Sequence, residues 1–377
     1  MSSPYRSDLG PALRRLLNGL KHTPATLARH LGVSADQLEG ALAGTVPFTA
    51  DLERALLTVT GINQRDLYPV ERQADFPIVD DTVEGVRTCT AHATRATERT
   101  FTRGPGLPYY HYADTAMANA STFRPEWIQQ LYVHDGNTAE LPDWAFNKGH
   151  FEHQVTYFIG PVNFYWIDAQ GRKRVRQMNT GDTNYIVPFV PHTFTTREAG
   201  KGLILAVTYG GALALPAFRA RTAHASVDEM AREGEAPSEP VLFHLLAEEG
   251  RGVEDGFLAH VSVPHQRATR VRTFQAAADR LSFEEAVAAD RWMYHLGGAP
   301  LELAWGNGRR TLLEPGDSAV LRPGVAHSLR AETAPATCLV IDIAPNEQEI
   351  SAELAAIQAH AGPSGLARVQ AETTCWF

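Results

Sequence analysis

Phe146-Asn147-Lys148-Gly149-His150-Phe151-Glu152-His153-Gln154 is followed about forty residues later by Val190-Pro191-His192-Thr193-Phe194. Between them, Gly181-Asp182 opens a mostly apolar run that ends at Pro191. A histidine beside a glycine, then a Gly-Asp turn and a Pro-His at a strand end, is the pattern by which a small double-sheet barrel brings two imidazoles to one metal ion. Two imidazoles and one oxygen donor, with positions left open, suit a non-haem Fe(II) that handles dioxygen. The carboxylate usual four residues after the first histidine is absent; Gln154 stands there. Glu152, in His150-x-Glu152, and His153 are the other candidates, because 150, 152 and 154 would share a face of a straight strand.

Outward from this stretch, 85–221 breaks into short strands separated by Gly, Pro, Asn and Asp. Gln154–Ile159, Val162–Ile167, Asn184–Val190 and Gly202–Tyr209 are the clearest, and their even spacing predicts an antiparallel barrel. A second strand-rich region, 240–345, contains Pro315-Gly316-Asp317 and then Pro323-Gly324-Val325-Ala326-His327. Asp317 precedes His327 by the ten residues that separate Asp182 from His192, which marks an internal repeat. Leu301-Glu302-Leu303-Ala304-Trp305, upstream of it, holds no histidine, so the second barrel is expected to be metal-free with His327 structural. The acidic, Pro-containing 222–239 reads as a connector, and 346–377 as a C-terminal helix and tail.

Residues 1–70 read as helical. Thr23-Pro24 begins a short helix, Gly32 ends it, and Ser34 caps another over Ala35–Leu42, a helix-turn-helix pattern. The second of these helices carries two acids, no Lys or Arg, and only Gln37 for reading bases. With a net charge of −9, nucleic acid is not an expected partner, and a ligand-sensing regulator is the weaker, non-enzyme reading. The three cysteines, Cys89, Cys338 and Cys375, have no metal-ligand spacing and form no disulfide framework. No apolar run approaches the roughly 18 residues of a membrane span, so a cytoplasmic protein is expected. The expected fold is mainly β: a helix-turn-helix arm and a bicupin, that is, two double-stranded β-helix barrels, the second degenerate.

At Phe146–Gln154 and Val190–Phe194 the chain resembles the cupin-fold non-haem iron phosphonate oxygenases, and the resemblance extends over most of its length. It implies Fe(II) as cofactor and O2 as co-substrate, with no 2-oxoglutarate, and His150, Gln154 and His192 as metal ligands. It implies a small phosphonate, 2-hydroxyethylphosphonate, as the partner. Asn147 matches the family's substrate-contacting asparagine, and Lys21, eleven residues before Gly32, matches a phosphonate-binding lysine of the helical arm. Arg103 with Tyr110 and Tyr112 matches an Arg-then-Tyr segment that contacts substrate. Lys21 reaching a neighbour's site would make the protein a homo-oligomer. Three neutral ligands leave the ion its full double charge, which suits a dianionic phosphonate.

The family also marks the departures. Its epoxidases carry Glu at the position of Gln154. Some of its dioxygenases take Glu from six residues before the second histidine, where this chain has Ile186. Cleavage of the C1–C2 bond can end in hydroxymethylphosphonate and formate, the dioxygenase outcome, or in methylphosphonate and carbon dioxide, the synthase outcome. A synthase needs a tight apolar wall beside the third ligand. Glu152 and His153, polar and ionisable, therefore point to the dioxygenase, with Asn147, Tyr110, Glu152 and His153 as its catalytic residues. An oxoglutarate oxygenase built on His150, Glu152 and His192 is the rival enzyme reading.

Overall fold

The computed structural model describes residues 23–60, 80–121, 123–209, 226–236, 239–245, 257–262, 270–276, 284–333, 335–343 and 350–370. Among the described residues, three helices come first: α1 (Pro24–Leu31), α2 (Ala35–Ala43) and α3 (Ala50–Thr60). Thr23 and Ser34 cap α1 and α2 by accepting from the Thr26 and Gln37 amides, and Gly32 ends α1 at φ 66°. Leu27, Leu38, Leu42 and Leu56 close a small core of their own.

Strand β1 (Val86–Cys89) and helix α4 (Ala91–Ala96) lead into β2 (Arg99–Arg103), β3 (Leu107–Asp114), β4 (Phe123–Gln130), β5 (His153–Ile159), β6 (Val162–Ile167), β7 (Lys173–Met178), β8 (Thr183–Ile186), β9 (His192–Thr196) and β10 (Leu203–Tyr209). Helix α5 (Val227–Glu233) and β11 (Val241–His244) follow. Then come β12 (Phe257–Ser262), β13 (Arg270–Ala276), β14 (Glu284–Glu285), β15 (Asp290–Gly298), β16 (Leu301–Trp305), β17 (Arg309–Leu313), β18 (Ser318–Leu321), β19 (His327–Ala331), β20 (Ala336–Ile343) and α6 (Ile350–Gln370), two helical stretches joined across a kink at Gly362.

The strands form two pairs of antiparallel sheets. The first pair is β11-β8-β5-β10-β4-β3-β2 with β7-β6-β9; the second is β1-β18-β15-β20-β13-β12 with β14-β19-β16-β17. The two units trade strands. β1, expected in the first barrel, pairs with β18 of the second, and β11, expected in the second, pairs with β8 of the first. Strand partners are chosen by long-range pairing, which local pattern does not encode. Val86 is thereby buried in the second core, and Phe243 is seated against Phe164 and Trp166 of the first, with ring centroids 5.8 and 5.3 Å away. The outer faces of the large sheets pack together, so that Val155, Leu205 and Val207 share one core with Trp292, Leu339 and Ile341.

Two further expectations need correction. The supposed connector contains α5, opened by a reciprocal capping box between Ser226 and Glu229. The strand expected over Asn184–Val190 ends at Ile186, before Pro188, whose ring nitrogen cannot donate to a ladder. No described helix is long and apolar enough to cross a membrane.

Candidate metal centre

Residues directly opposite one another in a ladder face the same side of a sheet. Gln154 lies opposite Ile186 on β8 and Thr208 on β10; Thr156 lies opposite Asn184 and Ala206. This face looks into the first barrel. His150 sits in the loop just before β5, and His192 opens β9 in the opposing sheet, paired with Trp166. Both histidines are buried, and their rings stand edge to face, 5.1 Å between centroids and 85° between planes.

Each imidazole is locked by its Nδ1. His150 Nδ1 donates to the Glu152 carbonyl at 2.8 Å, and His192 Nδ1 to the Val190 carbonyl at 2.8 Å. A proton held on Nδ1 leaves the lone pair on Nε2, the tautomer a metal ligand needs. Asn147 sits at that lone pair. Its Oδ1 accepts from the backbone N–H of Gly149 and of His192, at 3.0 and 2.8 Å, which fixes the amide orientation. Its Nδ2 therefore donates to His192 Nε2 at 3.1 Å. Asn147→Ala leaves two buried amides without their acceptor. A loss of about 2 kcal/mol is expected in urea unfolding, while Asn147→Asp, which keeps the acceptor, should lose less.

Gln154 Nε2 donates to Thr156 Oγ1 at 2.9 Å, committing the nitrogen and leaving the amide oxygen as the electron-pair donor. The Glu152 carboxylate lies 3.5 Å from His150 Nδ1, on the ring edge away from Nε2. It is placed to strengthen that imidazole as a donor and not to share an ion with it. Among the described residues, no group of three or more His, Cys, Asp or Glu is arranged to hold a metal, which removes the geometry the oxoglutarate reading required. Two neutral imidazoles and one amide oxygen suit a divalent first-row ion.

His153 does not join this group. It points to the opposite face of β5, between the rings of Tyr185 and Tyr209 at 5.8 and 5.3 Å. Its Nδ1 meets Tyr185 Oη at 2.6 Å and its Nε2 meets Glu353 of α6 at 3.1 Å. The catalytic role expected for His153 is corrected on this ground. Strand alternation turns 153 outward when 154 points inward.

Tyr110 also differs from expectation. Its phenol oxygen accepts from the Phe194 amide at 2.9 Å and meets Thr193 Oγ1 at 2.8 Å, bracing β9 just past His192. Burial pushes this phenol up, partly opposed by Arg103, so it stays protonated. The Arg103 guanidinium lies 5.3–5.6 Å from the rings of Phe101, Tyr109 and Tyr110. Tyr112 is buried edge-on to Phe101 and Tyr110. Lys21 lies outside the described residues. Sequence reading missed Asn184, on the inner face of β8, whose two amide atoms make no hydrogen bond among the described residues. Alternation from Ile186 was the signal that places it.

The second barrel repeats this frame around a buried guanidinium. His327 Nδ1 meets the Val325 carbonyl at 2.9 Å, as His192 meets Val190. Gly324 N donates to Val287 O, as Phe189 N donates to His150 O, both at 2.7 Å. Arg291 lies opposite Leu321 and Asp342, as Gln154 lies opposite Ile186 and Thr208. The counterpart of 150–154 is therefore 287–291 and not Leu301–Trp305, and Arg291 stands where Gln154 stands. Its guanidinium is fully buried, grips Asp342 at 2.6 and 3.0 Å, and reaches His327 Nε2 at 3.1 Å. In the second barrel, a side chain from this strand position thus reaches the histidine Nε2.

Burial, with Arg291 adding to it, pushes His327 down to about 4. Its folded value is below its unfolded one, so its contribution is complete above about pH 6.5 and is lost as pH falls toward 4. The loss is roughly 3 kcal/mol. Asp290, pushed up to about 6 by burial, works in the opposite sense over a similar interval. His327→Gln should therefore gain on the wild type by roughly 3 kcal/mol between pH 6.5 and 4 in urea unfolding at stepped pH.

No family model matches the chain. It is 42% identical over 200 residues to the methylphosphonate synthase of Nitrosopumilus maritimus (strain SCM1), covering 52% of this chain and 42% of that protein. The chain thus spans less than half the length of that curated relative. Among solved structures, Streptomyces albus HEPD with 2-hydroxyethylphosphonate and Fe(II) bound aligns over 91% of this chain and 93% of its own, at 28% identity and TM-score 0.62. The chain is thus similar in sequence and fold to cupin-fold phosphonate oxygenases. Native PhpD with cadmium atoms shares the fold, at 18% identity and TM-score 0.53 over 90% of this chain and 93% of that one.

Proposed function

We propose that this protein is an Fe(II)- and O2-dependent oxygenase that cleaves the C1–C2 bond of 2-hydroxyethylphosphonate to give methylphosphonate and carbon dioxide. The observation that supports the metal assignment is the edge-to-face pair of His150 and His192; Gln154, on the inner face of β5 with its nitrogen committed to Thr156, is the third neutral donor we assign. Bound iron would supply the redox chemistry with dioxygen, the substrate giving all four electrons.

The chain's own residues do the rest. Asn147 holds a fixed N–H donor beside His192 Nε2, placed for a phosphonate or hydroxyl oxygen of the substrate. Arg103, and Lys21 delivered by the helical arm of a neighbouring copy, would neutralise the phosphonate, since charge-assisted hydrogen bonds are roughly twice as strong as neutral ones. Tyr110 holds β9 in register. Ile186, opposite Gln154, and Phe164 and Phe194, beside His192, keep water from the reacting carbons.

The product assignment rests on that apolar wall. The dioxygenase expectation depended on Glu152 and His153 beside Gln154. With His153 turned outward and Glu152 on the far edge of His150, the weight moves to the synthase, in line with the 42% identity to one. The HEPD likeness over 91% of the chain favours the alternative products, hydroxymethylphosphonate and formate. The Fe(II)-loaded protein should be incubated with 2-hydroxyethylphosphonate in air and its phosphorus products read by NMR. Methylphosphonate is expected. Hydroxymethylphosphonate would make it the dioxygenase, and unchanged substrate with iron bound would sink both.

A DNA-binding role finds little support in α2, whose last turn carries no basic residue.

A further inference from the structure

The segment that carries His150 and Gln154 is gripped from outside the barrel by the last described helix. Arg368 of α6 donates from one guanidinium nitrogen to the Lys148 carbonyl at 2.8 Å and from the other to the Gly149 carbonyl at 2.6 Å. The same guanidinium lies over the ring of Phe189, 4.1 Å from its centroid. At the other end of the segment, Glu353 of α6 meets His153. The two anchor points are two residues before His150 and one before Gln154.

Between them the backbone is held where it would not rest alone. Phe189 has φ 64°, a left-handed conformation that is strained for a residue other than glycine. Gly324 holds the matching place in the second barrel. A Cβ on Gly149 would meet the Phe189 backbone at 2.4 Å, so these two loops touch at their main chains. Phe189 N donates to the His150 carbonyl, and its ring stacks on Phe151 at 5.5 Å. Phe151 and Phe189 pack with Leu354, Ile357, Leu366 and Val369 of α6. Strain of this kind persists only where surroundings over-determine it, and α6 supplies those surroundings.

We infer that α6 is a clasp that sets the metal geometry of the first barrel, with Arg368 as its positioning residue: it pins the 148–149 carbonyls and Phe189, and through them fixes where His150 presents Nε2. This rests on the reading of His150, Gln154 and His192 as metal ligands. Arg368 acts through the loop, by the carbonyls of Lys148 and Gly149 and the ring of Phe189. Partners that orient metal ligands typically change affinity by about 10–100-fold when removed.

The test titrates Co(II) alone into full-length wild type, Arg368→Ala and Arg368→Lys, reading affinity and the visible ligand-field spectrum, with thermal unfolding of each metal-free protein as the control. Arg368→Ala is expected to bind Co(II) about tenfold or more weakly with an altered spectrum, and Arg368→Lys, which offers a point charge in place of a two-pronged donor, to fall between. Should Arg368→Ala not fold, the comparison of Arg368→Lys with wild type decides. Affinity within twofold of wild type and an unchanged spectrum overturn the inference alone. A wild type that takes up no Co(II) overturns the metal reading and the inference together.

Discussion

Replacing His192 with alanine should abolish turnover and nearly abolish metal uptake. The ring is buried, locked by Nδ1, and presents Nε2 beside the His150 ring. A four-ligand protein site is worth on the order of 10–16 kcal/mol, so each ligand carries roughly 3 kcal/mol and a hundredfold or more in affinity. The cost to the fold should be small by comparison, because the His192 backbone remains tied to Asn147 Oδ1 and to the Trp166 strand. The measurement is Co(II) or Fe(II) binding together with urea unfolding. His192→Ala that kept wild-type metal affinity would remove His192 from the centre, whatever happened to activity.

The largest expected loss of stability comes from the other barrel. Arg291→Met should destabilise the fold by about 3–5 kcal/mol, the cost of breaking a buried ion pair from one side. Arg291 is fully buried, and Asp342 loses its two-pronged partner while keeping Arg272. His327 loses the donor at Nε2. Methionine fills much of the volume, so the loss reports on charge and hydrogen bonding more than on a cavity. Because the two barrels share one core, unfolding should remain a single transition at a lower urea midpoint. A change under about 1 kcal/mol would mean that the guanidinium contributes little.

What the sequence disclosed depended on how local the signal was. His150, His192 and the repeated Asp-to-His interval are short patterns tied to turns, and the structure brings the two rings together. The strands at Val162–Ile167 and the caps at Thr23 and Ser34 follow from neighbouring residues alone. The exchange of β1 and β11 between barrels could not be seen, because a four-residue strand pairs as well with one open edge as with another. Arg291 went unnoticed as the counterpart of Gln154 because no histidine or glutamine marks 287–291 and the interval from Arg291 to His327 is two residues shorter than that from Gln154 to His192. Only the ladders show that 287–291, and not 301–305, is the equivalent stretch. The inward or outward fate of Glu152, His153 and Gln154 turned on where β5 begins, at His153, a one-residue boundary that composition does not set. Arg368 and Glu353 lie some two hundred residues from the loop they hold, and no pattern near either announces it.

The guanidinium of Arg291 has one further consequence. A metal centre is loaned: its ion leaves with a chelator, a fall in pH or a scarcity of iron. A covalently attached cation does not leave. By filling the same place in the second barrel with its own side chain, the chain keeps half of its architecture indifferent to supply. Were the first barrel to lose a bound ion, the charge at the matching place in the second would stay, held by Asp342 and His327.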